Sequence, residues 1–174
     1  MKKIVLILGA AAMVFGLSSC IGDDTSSSYS SFSDVADSVR FAKTDSTWIV
    51  SLLCGDLDYS YGKRLDVEIV APLESAALPT GKFTSRDFSL SLQEGTFRSG
   101  YLVFSEGRYD ICGTYLLMNQ GGVIYSVLFN TGTFEISNDA EGNYDFKFKG
   151  TDGSGSISAS ITAEDLKPVS EESD

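Results

Sequence analysis

Histidine is absent from the 174-residue chain. Its absence removes Ser-His-Asp and Cys-His catalysis, histidine metal sites and the side chain that most often exchanges protons near neutral pH. It does not remove chemistry that rests on two carboxylates, as in glycoside hydrolysis. The cysteines lack the CxxC spacing that a zinc or redox motif requires. Catalysis in this chain would therefore have to depend on acidic side chains.

Basic residues are scarce: 13 Lys and Arg stand against 24 Asp and Glu, which gives a net charge of −11. Nucleic-acid binding needs basic stripes, so this balance excludes DNA and RNA as partners. The same charge opposes direct adhesion to an anionic membrane. A net negative charge suits a soluble surface protein, because copies of the chain repel one another.

Long apolar segments are also lacking, with one exception at the N-terminus. Lys2 and Lys3 precede an apolar run from Ile4 to Leu17, and small residues then lead into Cys20. This run is shorter than the roughly 20 residues of a membrane-spanning helix. A charged start, an apolar centre and small residues at the end are typical of a signal peptide, which we assign to residues 1–19.

The residues Leu17-Ser18-Ser19-Cys20 resemble the lipobox of bacterial lipoproteins. The resemblance implies that Cys20 is acylated and becomes the first residue of the mature chain. The alternative is an ordinary cleaved signal with an incidental cysteine. Removal of residues 1–19 takes away Lys2 and Lys3 and leaves 11 basic and 24 acidic residues, a net charge of −13.

Asp23 and Asp24 follow the lipobox closely. They are similar to the acidic export signal of Bacteroidota-type lipoproteins, which implies lipid anchoring in the outer membrane and display on the cell surface. If the two acids are only the start of a solvated tether, the periplasmic leaflet of the outer membrane is the alternative location.

Composition divides the rest of the chain into three parts. Residues 20–32 are predicted to be the lipidated cysteine and a flexible polar tether. Residues 33–167 form the folded domain, and residues 168–174 form a disordered acidic tail. Within the domain, Ser33 as a cap and the i,i+4 spacing of Val35 and Val39 predict a short helix over residues 33–41.

The domain itself shows a hydrophobic period of two. Tyr144–Lys149 is the clearest case, with three aromatics on one face and charges on the other. More uniformly apolar runs, such as Tyr101–Phe104, predict central strands that are covered on both faces, or strands whose outer face makes a further contact. Gln120-Gly121-Gly122 and Glu141-Gly142-Asn143 are predicted hairpin turns. About nine to ten short strands predict an all-β fold, a single antiparallel β-sandwich or barrel.

The order of these motifs resembles that of small β-rich lipoproteins from gut Bacteroidota. It runs from an early Trp48 strand through the turn Leu78-Pro79-Thr80-Gly81, Gly-x-Phe and Gly-x-Tyr strands to a final Gly- and Ser-rich strand. Since many such proteins have no assigned function, the resemblance implies a fold and brings no site residues with it.

Most carboxylates alternate with apolar residues or lie in turns, which is typical of a solvated sheet face. The turns at 138–143 and 151–155 are rich in oxygen but do not match the calcium-binding loop pattern. We predict no metal and no cofactor. Cys54 and Cys112 have two open alternatives, a disulfide outside the cytoplasm or two buried thiols.

Tyrosine beside acidic residues gives the one candidate ligand site. One predicted loop contains Asp56, Asp58, Tyr59 and Tyr61. In this loop a tyrosine ring can stack on a sugar or peptide while its hydroxyl remains exposed to water. The alternative is that the tyrosines cover sheet faces, as Trp48 is expected to occupy the core.

These observations predict a non-enzymatic, lipid-anchored binding module of the cell envelope, for a glycan, a peptide or an envelope protein. The first alternative is an interaction subunit of a surface complex, such as an adhesin or pilus-associated component. A lipocalin-like carrier of a small apolar ligand and a carboxylate-dependent hydrolase follow. An interaction subunit would show an exposed sheet edge or a large apolar patch.

Overall fold

A computed structural model describes residues 31–58, 61–153 and 158–171 of the chain. Cys20 with its lipobox and Tyr59 lie outside the described residues. No helix in those ranges is long and apolar enough to cross a membrane. The described residues form fourteen strands: β1 (Ser31–Val35), β2 (Ser38–Lys43), β3 (Trp48–Gly55), β4 (Tyr61–Val70), β5 (Gly81–Arg86), β6 (Thr96–Arg98), β7 (Tyr101–Ser105), β8 (Arg108–Cys112), β9 (Tyr115–Gln120), β10 (Val123–Leu128), β11 (Thr131–Asn138), β12 (Tyr144–Thr151), β13 (Ser158–Leu166) and β14 (Val169–Ser170).

Twelve of these strands belong to one curled, mixed sheet with the order β1-β13-β12-β11-β5-β6-β4-β3-β2-β14. The hairpin β9–β10 joins this sheet at β4. Strand β4 is long enough to pair with β9 along Tyr61–Asp66 and with β6 at Ile69–Val70. Strands β7 and β8 form a separate two-stranded ribbon. The ribbon therefore lies outside the large sheet.

The two ends of the large sheet are joined by one stretch of chain. Strand β1 pairs in parallel with β13, and β2 pairs antiparallel with β3. Between them, Ala36 N–H donates to Thr162 O at 2.8 Å and Asp37 N–H donates to Leu53 O at 2.8 Å. The backbone therefore passes from one end of the sheet to the other within two residues, which curls the sheet around its core.

The core inside this curl is rich in aromatic side chains. Trp48, Phe97, Phe129, Phe134, Phe146 and Phe148 are fully buried. The Phe148 ring contacts Phe129 edge-on at 5.1 Å between centroids and lies 6.0 Å from Phe97. Trp48 donates its indole N–H to Pro72 O at 3.1 Å, so its one polar group is satisfied although the ring is buried. Trp48 is thus a core residue.

The period-two patterns identified strands correctly. Phe146 and Phe148 on β12 are buried and Lys147 and Lys149 are exposed. The hairpin turn after Gln120 is confirmed, with positive φ at Gly121 and Gly122, which an L side chain rarely adopts.

Three expectations need correction. The all-β class is confirmed, but the sheet is mixed and not an antiparallel sandwich, because the pairs β1–β13, β5–β6 and β14–β2 are parallel. The helix predicted over residues 33–41 is wrong: this segment forms parts of β1 and β2, and Val39 and Phe41 follow a strand alternation. In the predicted disordered tail, Val169 and Ser170 pair with Arg40 and Phe41 of β2.

Candidate functional site

The loop between β3 and β4 carries the ligand site that the sequence predicts. Asp58 N–H donates to Asp56 Oδ1 at 2.8 Å, which is an ordinary turn within the loop. Asn119 Nδ2 donates to Leu57 O at 2.7 Å and ties the loop to β9. Tyr61 does not lie in the loop as predicted: it is the first residue of β4, pairs with Gln120 of β9, and is 77% exposed. The described members of this set therefore form a surface turn beside one exposed ring.

A second surface is larger and more apolar. Six exposed apolar side chains lie on the loop after β5 and on the β7–β8 ribbon: Phe88, Leu90, Leu92, Val103, Phe104 and Tyr109. Strand alternation places Val103 on the same face of the ribbon as Tyr101 and Asp110. We call the four residues of the other face the aromatic surface: Leu102, Phe104, Tyr109 and Ile111. Phe104 is 63% exposed, Tyr109 53% and Phe88 42%. Single exposed apolar residues are common, but contiguous apolar patches on a protein surface mark interaction sites.

The ribbon arranges its own side chains by strand pairing. Phe104 lies opposite Tyr109, and Leu102 lies opposite Ile111, so these four residues share one face. The rings of Phe104 and Tyr109 are 4.9 Å apart between centroids and inclined by 51°. No charged side chain interrupts this face, since Arg108 and Asp110 point to the other face and form an ion pair there at 3.3 Å.

The loop after β5 is fixed against the base of the ribbon by a ring stack. Phe88 and Tyr101 stack with centroids 4.4 Å apart, and the Arg98 guanidinium lies 5.0 Å from the Tyr101 ring. Phe88 N–H donates to Ser99 Oγ at 3.0 Å, and Arg86 Nε donates to Ser91 O at 2.9 Å. These bonds hold Phe88 against the Tyr101 face of the ribbon, opposite the aromatic surface.

A polar cluster lies beneath this stack. Arg98 Nη1 donates to Glu68 Oε1 at 3.0 Å, and Thr47 Oγ1 donates to the same oxygen at 3.1 Å. The Glu68 and Arg98 side chains are only 12% and 23% exposed. Burial opposes the Arg98 charge, but the hydrogen bond to Glu68 and its negative charge raise the Arg98 pKa above its ordinary value. Both residues belong to the large sheet, Glu68 on β4 and Arg98 on β6, and the Arg98 guanidinium makes the contact with Tyr101 at the base of the ribbon.

A second polar cluster lies on the same face of β4, two residues away. Asp66 accepts a hydrogen bond from Ser51 Oγ at 2.6 Å and forms an ion pair with Arg64 Nε at 3.1 Å. Burial, followed by the charge of Asp66, raises the pKa of Tyr115. Asp66 and Glu68 are thus two acids about 7 Å apart along β4. Each is engaged by an arginine and a hydroxyl, as in structural ion pairs.

The two remaining cysteines are free thiols, Cys54 buried and Cys112 half-buried. Cys54 lies opposite Lys63 on β4, whereas Cys112 comes two residues before Thr114, whose hydroxyl accepts a hydrogen bond from Glu68 N–H at 3.3 Å near the other end of that strand. These strand positions are about 16 Å apart. A disulfide needs Cα atoms within roughly 7 Å, so the thiols are too far apart to pair.

Neither oxygen-rich turn forms a metal centre in the described residues. Asp139 Oδ1 accepts backbone hydrogen bonds from Glu141 at 2.9 Å and from Asn143 at 2.8 Å. The side-chain hydrogen bond from Asn143 is the main cause that lowers the pKa of Asp139. No group of three or more acids or cysteines within the described ranges is placed to hold a metal ion.

An open groove of about 430 Å³ lies across β11, β12 and β13. Its lining includes Gly132, Gly150 and the hydroxyl side chains of Thr133 and Ser160. Among the described residues, no aromatic or acidic side chain lines it, and no predicted site residue does. The groove is therefore a surface feature separate from both tyrosine-bearing regions.

Comparison with protein-family models, with curated proteins and with solved structures finds no match to this chain. The candidate site therefore rests on geometry. Sequence reasoning noted Tyr101 and Tyr109 only as strand tyrosines, and it did not single out Phe88 or Phe104. A signal was present in Phe88-Ser89-Leu90-Ser91-Leu92, where apolar residues alternate with serine in a segment that forms no strand.

Proposed function

We propose that this chain is a lipid-anchored, non-enzymatic binding module of the cell envelope that docks a protein partner through the aromatic surface. The observation that carries the proposal is the exposed Phe104–Tyr109 ring pair on a ribbon face without charged residues. Large aromatic side chains are enriched among the residues that supply most of the binding energy at protein interfaces. The anchor follows from the likeness of Leu17–Cys20 to a lipobox.

The chemistry of the aromatic surface favours a protein over a glycan. A sugar needs hydrogen-bonding groups beside the ring on which it stacks. The exposed ribbon face offers phenylalanine, leucine, isoleucine and a single tyrosine hydroxyl. An apolar groove on a partner protein matches that face. Because the chain has a net charge of −11, a partner with a basic rim around its groove is attracted more than an acidic one.

The preorganised loop supports the same function. Phe88 is held by the Tyr101 stack and by its backbone bond to Ser99, so the loop supports the ribbon from the face opposite the aromatic surface and leaves the ribbon less conformational freedom to lose on binding. Preorganisation of this kind lowers the entropic cost of association. An interaction surface on a surface-anchored chain also agrees with its acidic, self-repelling composition.

Site-specific photo-crosslinking on whole cells tests the proposal. A photoreactive phenylalanine analogue replaces Phe104 in the full-length chain, and the matched control positions are Tyr61, exposed at the start of β4, and Glu135, exposed on β11. We expect one adduct of defined mass at position 104 and none at position 135. That adduct should disappear when Tyr109→Ser is added. An adduct at all three positions would overturn the proposal.

A saccharide screen of the detergent-solubilised chain separates the glycan alternative. A ligand at 100 times its dissociation constant stabilises the folded state by about 2.7 kcal/mol. We expect no thermal shift with polysaccharides or oligosaccharides. A shift that is abolished by Tyr61→Ala and retained in Phe104→Ser would transfer the binding role to the loop between β3 and β4.

A further inference from the structure

Strand β10 has a partner on one side only. It pairs antiparallel with β9 from Val123↔Gln120 to Leu128↔Tyr115, and no other strand of the described residues pairs with it. Sheet edges of this kind present unpaired N–H and C=O groups that accept another strand. Gly100 packs against Leu128 at the end of β10, so the open stretch of the edge is centred on Ile124–Ser126.

The hairpin register decides which backbone groups face the open edge. The pair that flanks a two-residue turn, here Gln120 and Val123, exchanges its hydrogen bonds, and pairing then alternates along the strand. Phe129 N–H, an even number of residues from Val123, donates to Thr114 O at 3.0 Å and agrees with this alternation. Ile124 and Ser126 therefore direct their N–H and C=O groups away from β9.

The edge also lacks the features that usually prevent pairing. Natural edge strands carry lysine, proline or a bulge, and the β9–β10 hairpin has none of these. Residues 111–134 contain no charged side chain, in a chain with a net charge of −11. Two copies of an acidic protein repel each other over most of their surface, so an uncharged edge is where they can approach most closely.

We propose that β10 pairs antiparallel with β10 of a second copy of this chain. With Ile124 opposite Ser126 of the second copy, and the reverse, each copy supplies two N–H and two C=O groups, so the pair closes four hydrogen bonds. The interface is isologous, because one stretch of chain is complementary to itself about a two-fold axis at Tyr125. This contact uses a different surface from the aromatic surface and does not depend on the proposed partner.

Cysteine crosslinking of the full-length chain tests the pairing. Tyr125 lies on the proposed axis, at a pair position where Cα atoms approach to about 4.5 Å, close enough for a disulfide. Under mild oxidant we expect Tyr125→Cys to give a covalent dimer. Ser137→Cys is the matched control: it is exposed on β11, which is flanked by β5 and β12. The wild-type chain measures the background from its own thiols.

Proline substitution then separates backbone pairing from mere proximity. Ser126→Pro removes an N–H that faces the open edge and no hydrogen bond to β9, whereas Ser126→Thr keeps that N–H. Because both copies carry the substitution, the dimer loses two hydrogen bonds. In the Tyr125→Cys background we expect roughly a tenfold or larger fall in crosslinked dimer with proline and little change with threonine. Ser126→Lys, which preserves the backbone, should cause a similar loss through charge repulsion.

Salt gives an independent readout. Raising the ionic strength screens repulsion between the acidic copies, so the dimer yield of Tyr125→Cys should increase with sodium chloride. Equal crosslinking of Tyr125→Cys and Ser137→Cys would overturn the proposal. A dimer that persists undiminished in folded Ser126→Pro and Ser126→Lys variants would also overturn it, since the contact would then not be a strand pair.

Discussion

The ring of Phe88 lies nearly parallel to the ring of Tyr101, with centroids 4.4 Å apart and planes inclined by 12°. This stack is the contact through which the loop after β5 reaches the base of the ribbon. Phe88 is 42% exposed, and its stack with Tyr101 lies on the face of the ribbon opposite the aromatic surface. The positions of the loop and of the ribbon are therefore coupled at one side chain.

Substitution of Phe88 tests that coupling. Phe88→Ala should lower the free energy of unfolding by about 0.5–1.5 kcal/mol through the lost ring pair alone, and it should reduce the adduct at position 104. Leu92→Ala, at a similarly exposed position that makes no ring contact, is the control. Urea unfolding and the crosslinking assay provide the measurements. Equal effects of the two substitutions would contradict the role of the stack.

The Glu68–Arg98 pair should matter far more than an exposed ion pair. Glu68→Ala leaves the Arg98 charge partly buried without its partner, and we expect a loss of about 3–5 kcal/mol. Glu171→Ala breaks the exposed pair with Arg40 and should cost about 0–1 kcal/mol. Both values come from denaturant unfolding. Similar costs for the two variants would mean that Glu68 is not a structural support of the ribbon.

Phe146 should be among the most sensitive core positions. It is fully buried, contacts Phe134 and packs beside Tyr144. Phe146→Ala should destabilise the fold by about 3–5 kcal/mol through lost burial and the cavity that remains. Lys147→Ala, the next residue on the opposite face, should change stability by less than about 0.5 kcal/mol. Calorimetry on the two variants distinguishes the faces of β12.

Cys54 should make stability depend on alkaline pH. Burial, aided by Asp34 and Asp37, raises the pKa of its thiol to about 12. The unfolded chain releases this proton near pH 8.5, so the folded state holds more protons above that value. The stability of the wild-type chain relative to Cys54→Ala is then fully present below about pH 8.5 and declines toward pH 12. Parallel unfolding curves from pH 8 to 10.5 would contradict this.

The lipobox resemblance predicts a change of location for Cys20→Ser. If Cys20 carries the lipid, its replacement should release the chain from the membrane, and fractionation of cells should recover it in the soluble fraction. Metabolic labelling with a fatty-acid analogue provides a second measurement, since wild type should incorporate the label and the variant should not. A variant that still sediments with membranes would show that the anchor lies elsewhere.

Local pattern predicted much of this fold. Alternation at Tyr144–Lys149 identified both the strand and its buried face, and Gly121-Gly122 identified a hairpin. The same reasoning failed at residues 33–41, where Val35 and Val39 have helical spacing but β13 and β3 supply strand partners on either side of Ala36. Strand pairing is a non-local interaction, so the mixed order of the sheet has no local signature.

The candidate site was harder to predict than the core. Tyr101–Phe104 is a uniformly apolar run that indicates a central strand, yet β7 lies in a two-stranded ribbon and Phe104 is largely exposed. Composition cannot distinguish a strand that is covered on both faces within the domain from a strand with one apolar face exposed to solvent. Tyr61 shows the converse: the sequence predicts it in a loop, whereas it begins β4 with its ring exposed, and the described part of the preceding loop forms a turn.

The pairing of β1 with β13 has a consequence for how the chain folds. Ser31 lies opposite Ser158, so the first strand cannot find its partner until nearly the whole chain is available. Contacts between residues so distant in sequence carry a large loop-closure cost and are associated with slow folding. The large sheet can therefore be completed only after β13 has been synthesised, however early the strands before it pair. Truncation of β13 would remove the strand that pairs with both β1 and β12, so the large sheet could not be completed.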